Sequence, residues 1–187
     1  MGEWIWIKQK DSEEGFQENT RGCFVTSFCI EDMQNDITLK ICAVEKYMVY
    51  LNGTLVGRGP IRHRKGELAF DSYALLPLCQ DGENYLAVRV WNYGWSTYQS
   101  TTEEAVVSFS VEQNGTVLAQ SDENTKCKFD EGHMRYVTKR NVNHGFTDYY
   151  DARKDNLKWL NDKRLTEQWE TAEVRNEVAS DWNITVR

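Results

Sequence analysis

The sequence contains no apolar run that approaches the roughly 20 consecutive residues needed to cross a membrane. Its opening, MGEWIWIKQK, has no basic region followed by a long apolar stretch, so we expect no secretory signal peptide. The chain also lacks repeats, low-complexity runs and any linker rich in proline, glycine and serine. These absences argue against a helical membrane protein, and we expect no membrane partner.

The motifs that mark common catalytic sites are also missing. The sequence has no HExxH, GxSxG, phosphate-binding loop or dinucleotide-binding fingerprint. Its three histidines, His63, His133 and His144, are scattered along the chain, and this spacing does not support a metal site or a catalytic triad. Acid pairs such as Glu103-Glu104 do not by themselves give the separation of about 5–10 Å that glycosidases require. We therefore expect no catalytic residue, metal or cofactor in this chain.

Paired cysteines are not indicated either, because the five cysteines are odd in number and no two have metal-ligand spacing. Cys23 and Cys29 lie an even number of residues apart, so both would face the same side of a strand. We interpret all five as free thiols that mostly fill the core, which fits a reducing compartment such as the bacterial cytoplasm. The five are Cys23, Cys29, Cys42, Cys79 and Cys127.

What the sequence does have is an acidic balance and many aromatic rings. The formal net charge of −7 repels phosphate backbones, so nucleic acid is not an expected partner. The 187 residues suit one domain, and a hydrophobic content of 40% is enough for its core. Because aromatic residues favour strands and interiors, we expect roughly two thirds of the tryptophan and tyrosine rings in the core.

Short strand patterns separated by turns dominate the chain. Residues 37–51 are long for one strand and predict two, with a bend near residues 45–46. The Asn-Gly pairs at residues 52–53 and 114–115 predict tight hairpin turns. Helical signals are weak, and only residues 155–165 predict one turn or a short helix. The other predicted strands are residues 4–7, 23–30, 85–91, 106–112, 116–119, 126–129, 133–138 and 169–174.

This pattern predicts an all-β fold, an antiparallel jelly-roll β-sandwich. We place the sandwich in residues 1–175. Residues 176–187 end on the strand-like NITVR, and we expect them to begin a linker or the next domain of a longer parent chain.

Residues 58–67, RGPIRHRKGE, form a basic island in an acidic protein. One interpretation is an exposed loop whose charges are solvated. The other is a loop that docks onto an anion or a neighbouring domain, through Arg58, Arg62, His63 and Arg64. The sequence leaves both open.

Residues 90–100, VWNYGWSTYQS, lead from a strand into a loop with three aromatic rings, Tyr93, Trp95 and Tyr98. Flat rings pack on the apolar faces of sugars, and Asn92 and Gln99 could bond the hydroxyls, helped by the serine and threonine between them. Alternatively, the rings pack against the sandwich or a neighbouring domain. We take these loop residues as candidates for carbohydrate or domain contact, and on that interpretation at least Trp95 or Tyr98 should be partly exposed.

An ordered set of segments between Tyr47 and Val90 resembles the galactose-binding-like jelly-roll domains of multidomain glycosidases. The segments are YMVYLNGTLVG, FDSYALLPL and GENYLAVRV. Such domains commonly show a hairpin with Asn-Gly, a strand that contains Asp, and then Gly-x-Asn before an apolar strand. The residues that match are Tyr50, Asn52, Gly53, Val56, Gly57, Asp71, Gly82 and Asn84.

Further motifs narrow the resemblance to the N-terminal region of bacterial α-L-rhamnosidases. They are WIW at the start, GRGP at 57–60, YGWST at 93–97, and DYYDAR at 148–153 followed by Trp159 and WETA at 169–172. The resemblance runs from about Trp4 to Val174 and implies an N-terminal β-sandwich ahead of an (α/α)-barrel that carries the catalytic acids. The family often has Gly-Glu before Tyr-Asp-Ala-Arg, whereas this chain has Thr147-Asp148-Tyr149. That departure weakens the case for a sugar contact at the acidic position.

The DAR motif also has a structural interpretation. On an extended strand, Asp151 and Arg153 would lie on the same side and could form an ion pair that locks the end of the strand. Such a pair would not need to touch a ligand.

The resemblance implies a non-catalytic accessory domain that is not an enzyme by itself. Its expected partners are the catalytic domain of the same parent chain and a rhamnose-containing carbohydrate. An independent carbohydrate-binding module is the alternative, and a self-contained enzyme is the least supported hypothesis. A large apolar patch that only more chain would complete favours the accessory domain, whereas an exposed aromatic platform favours the independent module.

Overall fold

The computed structural model describes residues 1–8, 18–98 and 103–186. The strands are β1 (Ile5–Trp6), β2 (Thr20–Ile30), β3 (Ile37–Ala43), β4 (Lys46–Leu51), β5 (Thr54–Gly59), β6 (Glu67–Ala74), β7 (Gly82–Asn92), β8 (Val107–Gln113), β9 (Thr116–Gln120), β10 (Lys126–Phe129), β11 (Lys139–Asn141), β12 (Gly145–Phe146), β13 (Glu170–Thr171), β14 (Glu173–Val174) and β15 (Asn183–Val186). Short 3-10 helices span Leu76–Leu78, Leu157–Leu160, Lys163–Leu165 and Asn176–Ala179. Within these described ranges no helix has the length and apolar character needed to cross a bilayer.

Two sheets face each other across the core. The first has the strand order β14-β1-β8-β3-β6-β15, with β9 paired on β8. The second has the order β13-β10-β2-β7-β4-β5, and β11 and β12 form a separate hairpin. Paired strands run antiparallel except β15, which is parallel to β6. This architecture confirms the predicted all-β sandwich.

The core lies between the sheets and follows the two-residue period of the strands. On β7, the inward side chains of Leu86, Val88 and Val90 are at most 1% exposed. In the first sheet, Ile41 and Phe109 belong to the same cluster and are 0% exposed. Every second side chain of a strand faces the same side, so these alternating residues of β7 form one inward face.

The central strands of the second sheet are buried on their outer face as well. There Cys23, Val25 and Ala87 are at most 3% exposed and pack against Trp159. The ring of Trp159 lies 5.4 Å from that of Trp169. A strand that is buried on both faces reads as a near-continuous apolar run, which explains the composition of β2 and β7.

The outer face of the first sheet is covered by the last described residues. Trp182 packs edge-on against Trp4, with ring centroids 5.3 Å apart, and β15 pairs Ile184 with Leu68. Residues 176–186 therefore contact the sandwich directly. Where the domain boundary of a longer parent would fall remains a prediction.

Two asparagines of the glycosidase-like motif join the turns of neighbouring strands. The Asn52 side chain donates to Oδ1 of Asn84 at 2.9 Å and accepts from the backbone N–H of Tyr85 at 2.9 Å. Asn84 is fully buried and donates to the carbonyl of Gln80 at 2.7 Å. Asn52 and Gly53 both have positive φ, at 51° and 80°, so the predicted hairpin turn is confirmed.

The glycines of GRGP let β5 lie close to neighbouring side chains. A Cβ at Gly57 would clash with the ring of Tyr73, and one at Gly59 would clash with Asp71 and Tyr47. Tyr47 donates its hydroxyl hydrogen to Asp71 at 2.6 Å inside this contact. These motif residues therefore serve packing.

The bend predicted near residues 45–46 is confirmed, because β3 ends at Ala43 and β4 begins at Lys46. The helical turn predicted in residues 155–165 is also confirmed, in the form of two 3-10 helices.

The strand predicted at residues 133–138 is wrong. Only His133 makes an isolated bridge, with Tyr150. The Asp130 carboxylate accepts from the backbone N–H of His133 at 3.2 Å, and this local bond turns the chain out of an extended path. The strand predicted at residues 169–174 is split into β13 and β14, and β6 is the strand containing Asp71 that the resemblance implied.

All five cysteines are free thiols, as predicted. Cys23, Cys42 and Cys127 are at most 1% exposed and fill the interior, whereas Cys29 is exposed on the same outer side of β2 as Cys23. Burial raises the pKa of Cys23 to about 12, so this thiol stays protonated and unreactive.

Candidate functional site

The basic loop and the aromatic loop meet at one end of the sandwich. Residues 60–63 follow β5, and Tyr93 and Thr97 follow β7. Together with residues 44–46 at the β3–β4 bend and residues 143–145, they line a cavity of about 380 Å³. Loops held by a rigid scaffold commonly carry function, so this cavity is the candidate site.

Tyr93 forms a wall of the cavity and is only 7% exposed. Its ring stacks on Trp91 with centroids 4.3 Å apart, and its hydroxyl oxygen accepts from Nζ of Lys46 at 3.0 Å. The guanidinium of Arg21 lies 4.0 Å from the Trp91 centroid. Gly145 has a φ of 65° and lies so close to Tyr93 that a Cβ there would clash with the ring. These contacts fix Tyr93 as part of the frame.

Trp95 and Tyr98 lie farther out on the same loop. Trp95 is half-buried, with its ring edge-on to Phe146 at 5.9 Å and Nζ of Lys139 4.4 Å from its centroid. Tyr98 is 64% exposed, and its backbone N–H donates to the carbonyl of Val142 at 3.1 Å. The predicted partial exposure of this loop is confirmed.

The polar residues proposed to bond a sugar differ in their exposure. Asn92 is 1% exposed on the inward face at the end of β7, so its side chain faces the core, and its contact with a sugar or a domain remains a prediction. Gln99 lies outside the described residues. Thr97 lines the cavity and is half-buried.

In the basic loop the side chains have different positions. Arg58, Arg62 and Arg64 are exposed, as the solvated-loop interpretation predicts. His63 is half-buried, with Nε2 2.6 Å from the carbonyl oxygen of Val44 and Nδ1 3.1 Å from that of Arg64. His63 thus ties the loop to the β3–β4 bend, while a docking or anion-binding role of the arginines remains a prediction.

Sequence reasoning missed the most unusual group of the cavity, Glu45. Glu45 lines the cavity but is only 5% exposed, and its Oε1 has no hydrogen-bond partner among the described residues. Burial raises the pKa of Glu45 to about 8; the nearby charge of Glu103 adds to this effect, and Lys46 opposes it. The only available signal was the bend itself, which places Glu45 between two strands.

A second groove of about 620 Å³ adjoins the cavity and shares Lys46 and Pro60 with it. Its floor is the outer face of the second sheet, and Arg21, Arg58 and Trp91 line it. The groove is therefore rich in cations although the chain as a whole is acidic.

Acidic side chains from the C-terminal third neutralise the charge on this floor. Nε of Arg89 lies 3.1 Å from Asp130, and its Nη2 lies 2.7 Å from Asp155. Although burial opposes it, the bonds from His133 and the charge of Arg89 hold the pKa of Asp130 at about 2. The presence of Arg89 in the apolar sequence of β7 could have indicated these acidic partners, because a buried positive charge requires a negative one beside it.

The DAR motif makes the predicted ion pair. Nε and Nη2 of Arg153 each lie 2.8 Å from the carboxylate of Asp151. The backbone there is a turn, so the extended strand expected at this position is wrong. The preceding Asp148 pairs with Arg21 at 3.1 Å. In the described parts of the chain, no group of three or more His, Cys, Asp and Glu side chains could hold a metal.

The two tryptophans Trp95 and Trp159 should differ in their contribution to stability. Trp95→Ala should lower the free energy of unfolding by about 1 kcal/mol or less, because the ring is half-buried at the edge. The matched change Trp159→Ala should cost about 3–5 kcal/mol, because that ring is 3% exposed. Urea unfolding measures both, and a cost of about 3 kcal/mol or more for Trp95→Ala would place this ring in the core.

Glu45→Gln should change how stability depends on pH. With a pKa of 4.5 when unfolded and about 8 when folded, wild-type Glu45 binds more protons in the folded state, so its stability falls as pH rises between these values. Glu45→Gln removes this loss. Its free energy of unfolding relative to wild type should therefore rise from pH 5 to pH 9 by on the order of 1–3 kcal/mol. The exposed Glu123→Gln serves as the control, and an equal, pH-independent difference for both variants would contradict the burial argument.

Comparison with known proteins gave no matching family model and no matching curated protein. Solved structures do match. The whole chain superimposes on a GH78 family rhamnosidase of Bacillus sp. GL1 with a TM-score of 0.88 and 26% identity, and covers 20% of that chain. It also matches an α-L-rhamnosidase from Dictyoglumus thermophilum with a TM-score of 0.72 and 18% identity, covering 98% of this chain and 22% of the other.

A lectin from Pleurotus ostreatus shares the fold more distantly, with a TM-score of 0.51, 16% identity, and coverage of 92% of this chain and 41% of the lectin. The chain spans about one fifth of the length of the rhamnosidases that it matches. Over its full length, the chain resembles a β-sandwich region of the α-L-rhamnosidase-like glycoside hydrolases, as its motifs indicated.

Proposed function

We propose that this chain is a non-catalytic N-terminal accessory domain of an α-L-rhamnosidase-like glycoside hydrolase, which supports the catalytic barrel. The observation that carries this proposal is the match of the whole chain to only one fifth of a GH78 rhamnosidase, at a TM-score of 0.88. A segment of that size has room for a sandwich but not for the sandwich and a barrel together. Its partner is the catalytic domain of the same parent chain.

The roles of its acids support a non-catalytic domain. Glycosidases place two carboxyl groups on either side of the scissile bond, about 5–10 Å apart. Here Asp130 and Asp155 neutralise Arg89, and Asp71 accepts from Tyr47. These acids serve the scaffold, and the catalytic pair belongs to the remainder of the parent.

An exposed apolar surface supports docking on further chain. Tyr98, Met134, Tyr136, Val142 and Tyr149 are between 44% and 84% exposed. Backbone hydrogen bonds join Met134 to Tyr149 and Tyr98 to Val142, so four of the five are neighbours in two pairs, and Tyr136 follows Met134 by two residues. Apolar area left in water is unfavourable, and a catalytic domain packed here would remove it.

Contact with a rhamnose-containing carbohydrate is the second part of the proposal. Trp95 and Tyr98 present partly exposed rings at the loop edge, beside the cavity that Glu45 lines. The same cavity favours the alternative function, an independent carbohydrate-binding module. An accessory domain would have its exposed apolar surface covered by the catalytic domain of the parent, whereas an independent module would not. The five free thiols support a cytoplasmic location.

Tyr136→Ser tests the docking role. In the isolated chain this change should shift the melting temperature by less than about 2 °C, because the ring is 84% exposed. In the full-length parent it should weaken the packing of the domain on the barrel and lower the melting temperature by several degrees. Val117→Ser, at an exposed position on β9, is the matched control and should have no effect in either context.

If neither Tyr136→Ser nor Val117→Ser changes the melting temperature of the parent, this surface does not pack on the catalytic domain. Sugar binding by the isolated chain would then favour the independent module.

A further inference from the structure

The cavity at the end of the sandwich has the dimensions of a small-ligand site. Its volume of about 380 Å³ falls within the roughly 300–1,000 Å³ typical of such sites. It is built from four separate parts of the chain, at residues 44–46, 60–63, 93–97 and 143–145, with Tyr93 as a fixed wall. Because His63 bonds the β3–β4 bend and Tyr93 stacks on Trp91, the walls are held in place without a ligand.

Glu45 brings an unsatisfied polar group to this cavity. Buried side-chain oxygens in native proteins are nearly always hydrogen-bonded. Oε1 of Glu45 has no hydrogen-bond partner among the described residues, although Glu45 is only 5% exposed. A ligand hydroxyl that enters from the cavity and reaches this carboxyl group would offer it a hydrogen-bond partner.

Hydrogen-bond donors accompany this carboxyl group. Nζ of Lys46 donates to Tyr93, and an ammonium group has three hydrogens, so two remain for other acceptors. The exposed guanidinium of Arg62 lines the cavity from the basic loop, and His144 lines it from the opposite loop. The lining therefore offers both donors and an acceptor.

Apolar groups complete the lining. Pro60 and Ile61 belong to it, and Ile61 is 43% exposed. Sugar rings combine apolar C–H faces with hydroxyl groups that both donate and accept. A lining that mixes apolar side chains with a carboxyl and ammonium groups fits that chemistry.

We propose that this cavity binds one neutral pyranose unit without a metal ion, with the Glu45 carboxyl group and the Lys46 ammonium group bonding its hydroxyls. The inference deepens the carbohydrate-contact part of the proposed function and rests on it. It names residues that the sequence did not indicate, since the predicted sugar contacts were in the aromatic loop.

The charges favour a neutral sugar over an acidic one. Glu45 is the buried carboxyl group of the lining, whereas the cations Lys46 and Arg62 are exposed. A ligand carboxylate placed in the interior would lack a buried cation as its partner. Burial raises the pKa of Glu45 to about 8, so at pH 7 its carboxyl group is mostly protonated and can both donate to and accept from hydroxyls.

The test is a titration of the 15N-labelled chain in EDTA with methyl α-L-rhamnopyranoside, D-galactose and D-glucuronate, followed by amide chemical shifts. At least one neutral sugar should bind saturably, with a dissociation constant on the order of 1 mM for a ligand of this size. The shifts should centre on residues 44–46 and 60–63. D-glucuronate should bind at least about tenfold more weakly.

Variants assign the binding to the cavity. Glu45→Ala should raise the dissociation constant by at least about tenfold, whereas Glu45→Gln, which keeps a donor and an acceptor, should change it by less than about fivefold. Glu123→Ala, at an exposed position outside the lining, is the matched control and should leave it unchanged. The melting temperature of each variant shows that it is folded. If Glu45→Ala unfolds the chain, the location of the binding site is decided by which amides shift in the wild type and in the Glu45→Gln variant.

Three results would overturn the inference: no saturable binding of either neutral sugar, equal affinity in Glu45→Ala and wild type, or tighter binding of D-glucuronate. The proposed accessory role is tested separately by Tyr136→Ser in the parent. A parent that loses stability in that variant while the chain binds no sugar would retain the accessory domain and eliminate this site.

Discussion

The pairing of β2 with β7 is the constraint on which the rest of the structure depends. The two eleven-residue strands pair along their whole length, from Thr20 opposite Asn92 to Ile30 opposite Gly82, in the interior of the second sheet. Their inward side chains fill the sandwich core, and their outward side chains require a second cover. The C-terminal third supplies it, although this part of the chain has little regular secondary structure.

The same register sets the charges around the candidate site. Arg21 and Arg89 lie on the outward face of these strands, where an unpaired buried charge would be costly. Asp130 and Asp148 meet this requirement and position the segments that form the second groove. The cavity itself follows from strand ends: the break between β3 and β4 places Glu45, and the end of β7 places the aromatic loop.

Local patterns predicted the sandwich, most strands and both hairpin turns, because alternation and turn residues act within a few positions. The cover by Trp159 was not predictable, since its contacts with β2 and β7 join residues far apart in sequence. The basic loop and the aromatic loop of the candidate site were predicted, but the cavity that Glu45 lines is assembled from four separate segments of the chain. The inward direction of the Asn92 side chain could have been predicted. Asn92 lies four residues after Val88 on β7, and side chains an even number of residues apart on a strand face the same side.

The central claim is that this chain is a non-catalytic domain of a larger glycoside hydrolase. The most direct measurement is the release of the aryl group from an aryl α-L-rhamnoside by the highly purified chain. The account predicts no turnover above the uncatalysed rate, because the proposed function assigns the two carboxyl groups that must flank the glycosidic bond to another domain. Turnover that disappears in Glu45→Gln or Glu103→Gln would contradict it, because the chain would then carry its own catalytic acids.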